Sequence, residues 1–244
     1  MDTRFFSGLE RPDMEELHNI VEWPEFIYHD TTSEKLWHEL YEKFPKYQYV
    51  LMDRNEVIGT LNSIPLSIED ENGGFDDRGW DWALEKGFED MRLGKTPTTL
   101  CGLQIGIGRN NLGKGISRIM IEKMRRIAEG QGFKRVILPV RPTMKHKYPL
   151  INMEEYMRWK TPEGLPYDPW IRAHVRLGAE IISVCPQSMY IPGSIKDWEE
   201  WTGLSIQSSG EYVFAGGLSP LSVSIENNRA EYSEPNVWME HKLR

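Results

Sequence analysis

The stretch from Leu103 to Glu129 constrains this chain more than any other. It reads LQIGIG, then RNNLGKGIS, then RIMIEKMRRIAE. Ile105 and Ile107 are β-branched and alternate with Gly106 and Gly108, which is the period of a strand. Past a polar turn, Ile116, Ile119, Met120, Met124 and Ile127 recur at helical spacing, with Arg118, Glu122, Arg125, Arg126 and Glu129 on the other faces. A strand feeding a glycine turn and a helix N-terminus makes an anion site. The first-turn N–H groups have no partner within the helix, and the macrodipole favours negative charge there.

Two phosphate-binding fingerprints fail on this turn. A dinucleotide fold needs a third glycine three places after the second, and Asn111 stands there. Gly108, Gly113 and Lys114 have P-loop spacing, but the next residue is Gly115 where the magnesium-holding Ser or Thr belongs, and Ser117 comes two places late.

Ile107 to Ser117 resembles instead the acetyl-coenzyme A loop of the GNAT acyltransferase superfamily, in which a strand ends and (Gln/Arg)-x-x-Gly-x-Gly runs into a helix. Asn110, Asn111, Leu112, Gly113, Lys114, Gly115, Ile116 and Ser117 fill those places, with Asn110 replacing the usual Gln or Arg and Leu112 a frequent basic residue. The glycines let the backbone approach a pyrophosphate, and the amides from Leu112 to Ser117 point at its oxygens. A plain strand-to-helix turn with glycines for packing is the competing account of the same residues. A second match follows at the expected distance: WIRAHVRLGAEIISV is similar to the family's helix that runs into Leu-Gly-Phe and a strand. Aligning Leu177-Gly178 puts His174 where the family often has a Tyr general acid, while Ala179 replaces the Phe. The hairpin VLMDRNEVIGTLNSIPL also follows the family pattern.

The resemblance covers roughly Tyr47 to Val184. It implies an α/β (α+β) fold with a mixed, mostly antiparallel central sheet and two splayed parallel strands. Acetyl-coenzyme A or another acyl-coenzyme A would lie between those strands, its arm paired with backbone near Ile105 and Ile107. His174 would serve as acid or base, with a pH step near neutrality. Thr143, at the end of the other splayed strand, would face it. Thr143 and His174 together resemble the GNAT-like domains that load polyketide synthases, which decarboxylate a malonyl thioester and are associated with transfer to a carrier-protein thiol. Trp80 and Trp82 would wall the acyl pocket. For each of these residues a purely structural role is the alternative: a packed helix histidine, a turn threonine, core tryptophans.

The rest of the chain reads as one domain over residues 1–244, with a core of about 33–225. Thr32 or Ser33 caps a helix to about Phe44; strands follow at 47–52 and 57–68, a loop at Glu69–Arg78, a helix at Trp80–Arg92 and a strand at Thr98–Ile107. Phe133–Val140 is a buried strand. The segment 144–168, holding Tyr148, Tyr156, Trp159 and Tyr167, is an insertion read as a flap over the acceptor, with Tyr148 and Tyr156 in the substrate pocket. The alternative is a surface excursion packed by its own aromatics. A helix over Pro169–Leu177, a strand over Ala179–Cys185, and short strands at 212–214 and 222–225 complete the sheet. The tail to Arg244, with Trp238, docks on the surface.

Composition narrows the partners. A net charge of −8 argues against nucleic acid and suits a cationic acceptor. No apolar run approaches the ~20 residues of a membrane span, and Met1–Leu9 lacks a signal-peptide core. Cys101 and Cys185 read as free buried thiols of a cytoplasmic protein. Six histidines without ligand spacing give no metal site. Three functions follow: acyl transfer from coenzyme A to a small-molecule amine, decarboxylation of a malonyl-type thioester with or without transfer to a carrier-protein thiol, and a non-catalytic acyl-coenzyme A-binding module.

Overall fold

The computed structural model describes residues 2–70, 73 and 75–243. Along the chain come β1 (Thr3–Ser7), α1 (Met14–Leu17), a 3-10 turn (Glu25–His29), α2 (Thr31–Lys43), β2 (Gln48–Asp53), β3 (Glu56–Leu66), α3 (Gly79–Arg92) and β4 (Thr99–Ile107). Then follow α4 (Ile116–Gly130), β5 (Arg135–Val140), α5 (Met153–Arg158), α6 (Pro169–Arg176), β6 (Glu180–Gly193), α7 (Ile195–Thr202), β7 (Gly210–Tyr212), β8 (Leu221–Ser224) and β9 (Arg229–Lys242). Of the loop expected at Glu69–Arg78, residues 71, 72 and 74 lie outside the described residues.

One sheet runs β1-β2-β3-β4-β5-β9-β8-β7, and β6 pairs with the other edge of β9. All its pairings are antiparallel except β4 with β5. The expected mixed, mostly antiparallel sheet with one parallel pair is therefore present. α4 packs on it through Ile116, Met120, Ile121, Met124, Ile127 and Ala128, all buried along one stripe.

The structure corrects three expectations of the sequence. Asp30, not Thr32 or Ser33, caps α2: its carboxylate accepts from the amides of both residues, at 3.1 and 2.7 Å. The tail does not dock on the surface, for β9 is a 14-residue central strand and Trp238 is fully buried. The sheet thus extends to Lys242, past the expected core limit at 225. From Glu234 to His241 the strand is buried on both faces, which explains why that part of β9 shows no alternation of polar and apolar residues.

The insertion is the third correction. Tyr148, Tyr156, Trp159 and Tyr167 pack on one another with ring centroids 4.8 to 6.2 Å apart. Tyr156 donates to Asp168 at 3.0 Å, and the Tyr148 and Tyr167 hydroxyls meet at 3.0 Å. Aromatic burial and satisfied hydroxyls hold the segment to itself, as in the self-packed alternative.

Candidate active site

The parallel pair is short. β4 and β5 are in register only at Thr99–Arg135, Leu100–Val136 and Cys101–Ile137, although both strands continue. The cause lies on the other edge of β4. Against β3, Gln104 faces Asn62 and Gly102 faces Ser63, so Leu103 is an extra residue. A bulge bends its strand and raises its twist. Trp80 fixes the bulged peptide, donating its indole N–H to the Leu103 carbonyl at 2.9 Å. Past the bulge the strands diverge, and the gap opens into a cavity of about 960 Å³ lined by Gly102–Ile107 on one side and Leu138–Val140 on the other.

The glycine turn stands at one end of this gap. Gly113 and Gly115 have φ of +75° and +79°, which L side chains rarely adopt, and a Cβ at either would meet open space. Gly115 is the N-cap of α4 and no side chain caps the helix, so its first-turn amides stay open. Leu112, Gly113 and Ser117 line the cavity, as do Ile105 and Ile107. Asn110, Lys114, Gly115 and Ile116 do not: Asn110 is exposed, Lys114 donates to Asn111 at 3.2 Å, and Ile116 points into the core. Uncapped amides beside an unpaired strand edge fit an acyl-coenzyme A, the pyrophosphate at the turn and the arm along β4.

His174 enters the wall from α6 and is 1% exposed. Its Nδ1 lies 3.0 Å from Nε2 of His241 on β9, and the edge of Trp170 packs on its ring at 4.5 Å. Burial first, and His241 second, lower its pKa to about 3. Burial, then Arg125, lower His241 to about 4. Both imidazoles are therefore neutral near pH 7, one donating and the other accepting. The pH step near neutrality expected for His174 is thus corrected, because a buried ring with a second ring and Arg125 nearby resists a proton.

Thr143 also lines the cavity, and its hydroxyl donates to Asp168 at 3.4 Å. Asp168 caps α6 through the amides of Trp170 and Ile171 and accepts from the Met144 amide as well. Thr143 therefore offers the cavity lone pairs, its proton being directed to Asp168. Trp80 lines the cavity, whereas Trp82 packs edge-on against Trp238 at 6.0 Å. Tyr148 and Tyr156 are absent from the lining, and so is every residue from 144 to 168. The flap and its two pocket tyrosines are corrected accordingly.

Sequence reasoning missed two walls. The segment from Glu15 to Tyr41 supplies the outer one, with Glu15, Glu34, Trp23 and Trp37. His18 belongs to it, and its Nδ1–H donates to the Met14 carbonyl at 2.8 Å, which fixes the tautomer. The segment approaches β4 closely: a Cβ on Gly106 would lie 2.7 Å from Val21 Cγ2. The inner wall is Arg141 with Glu234 and Asn236 of β9. A four-residue helix and a 3-10 turn carry too little periodicity to be read, though the Trp37–Tyr41 spacing was a usable signal. Among the described residues no group of three His, Cys, Asp or Glu is arranged to hold a metal, and no helix is long and apolar enough to cross a membrane.

No family model matches the chain. It is 30% identical over 249 residues, 91% of this chain and 85% of the relative, to arginine N-acetyltransferase avaD of Aspergillus versicolor. Among solved structures, the loading GNATL domain of CurA from Lyngbya majuscula aligns with a TM-score of 0.60 at 18% identity, over 98% of this chain and 96% of that one. The GphF GNAT-like decarboxylase in complex with isobutyryl-CoA aligns with a TM-score of 0.55 at 13% identity, over 100% of both chains. At such identities the two structures share a fold with this chain, and they say nothing more of it.

Proposed function

The chain belongs to the GNAT acyl-coenzyme A N-acyltransferase superfamily, and we propose that it moves an acetyl or small acyl group from coenzyme A to the amine of a small cationic acceptor. Arginine is the acceptor that the relative's name suggests. The observation that carries this reading is the continuity of one cavity. It joins the uncapped α4 turn, the unpaired edge of β4, His174 and an outer wall bearing Glu15 and Glu34.

Acyl-coenzyme A bound there supplies an activated thioester and a sulfur leaving group. The amides of Leu112, Gly113 and Ser117, the turn residues that line the cavity, hold its pyrophosphate, and the β4 edge orients the arm. Glu15 and Glu34 draw a cation, since Arg141, the one Lys or Arg of the lining, is neutralised by Glu234. His174 is neutral and receives the proton that the attacking amine loses. Because burial destabilises the imidazolium, the ring passes that proton on to the departing sulfur, which is far more basic. Thr143 positions the end of β5 through Asp168. Two buried, unpaired thiols, Cys101 and Cys185, support work in a reducing cytoplasm.

Mass spectrometry after incubation with acetyl-coenzyme A and L-arginine tests the proposal. Acetylated arginine with release of free coenzyme A is expected. Loss of carbon dioxide from malonyl-coenzyme A without an amine, or intact thioester in every mixture, would replace amine transfer by decarboxylation or by simple binding.

A further inference from the structure

The inner wall is more elaborate than an acyl pocket needs. Arg141, next after the last residue of β5, donates from Nε and Nη2 to the two carboxylate oxygens of Glu234 at 2.8 and 2.9 Å. Nη2 also donates to the Gly216 carbonyl at 2.7 Å. Glu234 is fully buried and accepts from the Tyr232 hydroxyl at 3.2 Å, which itself accepts from the Leu218 amide at 2.7 Å. The guanidinium plane is thereby fixed. Its remaining donor, Nη1, makes no hydrogen bond among the described residues. A guanidinium presents its donors in a rigid fork, so an open Nη1 on a pinned ring is a ready carboxylate anchor.

Two residues along β9, Asn236 is 2% exposed and also lines the cavity. Its Nδ2 donates to Ser188 Oγ at 2.8 Å, but its Oδ1 is buried without a partner. Strand residues two apart share a face, so this free acceptor stands beside the Arg141–Glu234 pair. β5 leaves β9 at Val237 and β8 joins it at Glu231, so the edge between them is unpaired toward this floor. A buried amide oxygen without a donor is unfavourable, and a ligand N–H relieves it.

We propose that this floor reads the amino and carboxylate groups of a free amino acid. The carboxylate would sit on Arg141 Nη1 and the α-amine N–H on Asn236 Oδ1, leaving the cationic side chain to run outward to Glu15 and Glu34. This rests on the amine-transfer reading above and sets its position: the α-amine is acylated, and the guanidinium is spared. The α-nitrogen bonds to the acyl carbon, the C–S bond breaks, sulfur leaves with the electron pair, and the proton lost by nitrogen ends on sulfur.

The test compares L-arginine with agmatine, which has the same guanidinium and primary amine but no carboxylate. With acetyl-coenzyme A the wild-type protein is expected to favour arginine by about tenfold or more in kcat/KM, the scale of a charge-assisted hydrogen bond. Tandem mass spectrometry should place the acetyl group on the α-nitrogen. Arg141→Lys keeps a charge opposite Glu234 but lacks the second planar donor. It should raise KM for arginine and bring the preference close to one while changing agmatine turnover little. Should that variant not fold, the double variant Arg141→Gln, Glu234→Gln sets two neutral amides in the same place and should lose the preference too. Equal use of both amines by the wild type, acetylation of the guanidinium, or an undiminished preference in a folded variant overturns the inference while leaving amine transfer intact. Acylation of neither amine overturns amine transfer, and this inference with it. Malonyl-coenzyme A decarboxylation that Arg141→Lys abolishes would assign the anchor to a malonyl carboxylate and overturn the amino acid assignment.

Discussion

The His174–His241 pair makes a prediction that reaches from burial to catalysis. Folding lowers His174 from 6.5 to about 3 and His241 from 6.5 to about 4. Between pH 6.5 and 5 the unfolded chain binds protons that the folded chain refuses, so each histidine's contribution to stability is lost as pH falls. Over 1.5 pH units at 1.36 kcal/mol per unit, each histidine costs about 2 kcal/mol by pH 5, and the pair about 4 kcal/mol. In the wild type this loss is partly masked. Asp30 and Asp81 are both raised, by burial first, so their folded carboxyls hold protons that the unfolded ones release and they stabilise as pH falls. The difference between two proteins isolates the histidines, because the carboxyl pair and the lowered His18 are common to both. Urea unfolding followed by tryptophan fluorescence at pH 7 and pH 5 is the assay. Wild type should lose about 4 kcal/mol more than His174→Leu, His241→Leu on that acidification. Losses equal to within about 1 kcal/mol would mean that the folded pair binds protons near pH 6. The neutral proton carrier proposed for His174 would then fall.

Three further outcomes are expected. Gly115→Val puts a side chain at a φ of +79°, a strain of roughly 1–2 kcal/mol, and should weaken coenzyme A binding in calorimetry with the fold intact; unchanged affinity would remove the turn from the site. His174→Ala should lower kcat by ~10²–10⁴-fold with binding retained, while Thr143→Ala, whose proton is held by Asp168, should change kcat far less; the reverse order in a steady-state assay would exchange their roles. Asp81→Asn removes the buried ionisable group whose pKa is raised to about 9, by burial first and then by Asp30, so wild type should lose thermal stability relative to it as pH rises from 7 to 10, and parallel melting curves would refute a protonated Asp81 at pH 7.

The sequence disclosed what is local. The turn from Ile107 to Ser117 is legible because its glycines, its strand and its helix lie within a single short stretch, and the family pattern of an α/β fold followed from it. Residues placed by long-range pairing were not legible in the same way. The flap tyrosines read as a pocket because aromatics in a long insertion look available, and only the fold shows the Tyr148 hydroxyl paired with Tyr167 and that of Tyr156 with Asp168. The N-terminal wall needs the approach of Val21 to Gly106, a contact across more than eighty residues.

β9 shows why the strand and the inner wall were missed together. Its sequence, RAEYSEPNVWMEHK, resembles an exposed tail because Glu234, Asn236, Glu240 and His241 interrupt the apolar residues. Each of the four is buried, and each is answered from far along the chain: Glu234 by Arg141, Asn236 by Ser188, Glu240 by Arg135 at 3.3 Å, and His241 by His174. A central strand can carry buried polar groups only when such partners exist. In this chain one pair holds the proton carrier proposed for His174, and another holds Arg141, the proposed carboxylate anchor. The residues that hid the strand are therefore the ones that make it part of the site, and Asn236 Oδ1, still without a donor, is the place on it that a ligand has yet to answer.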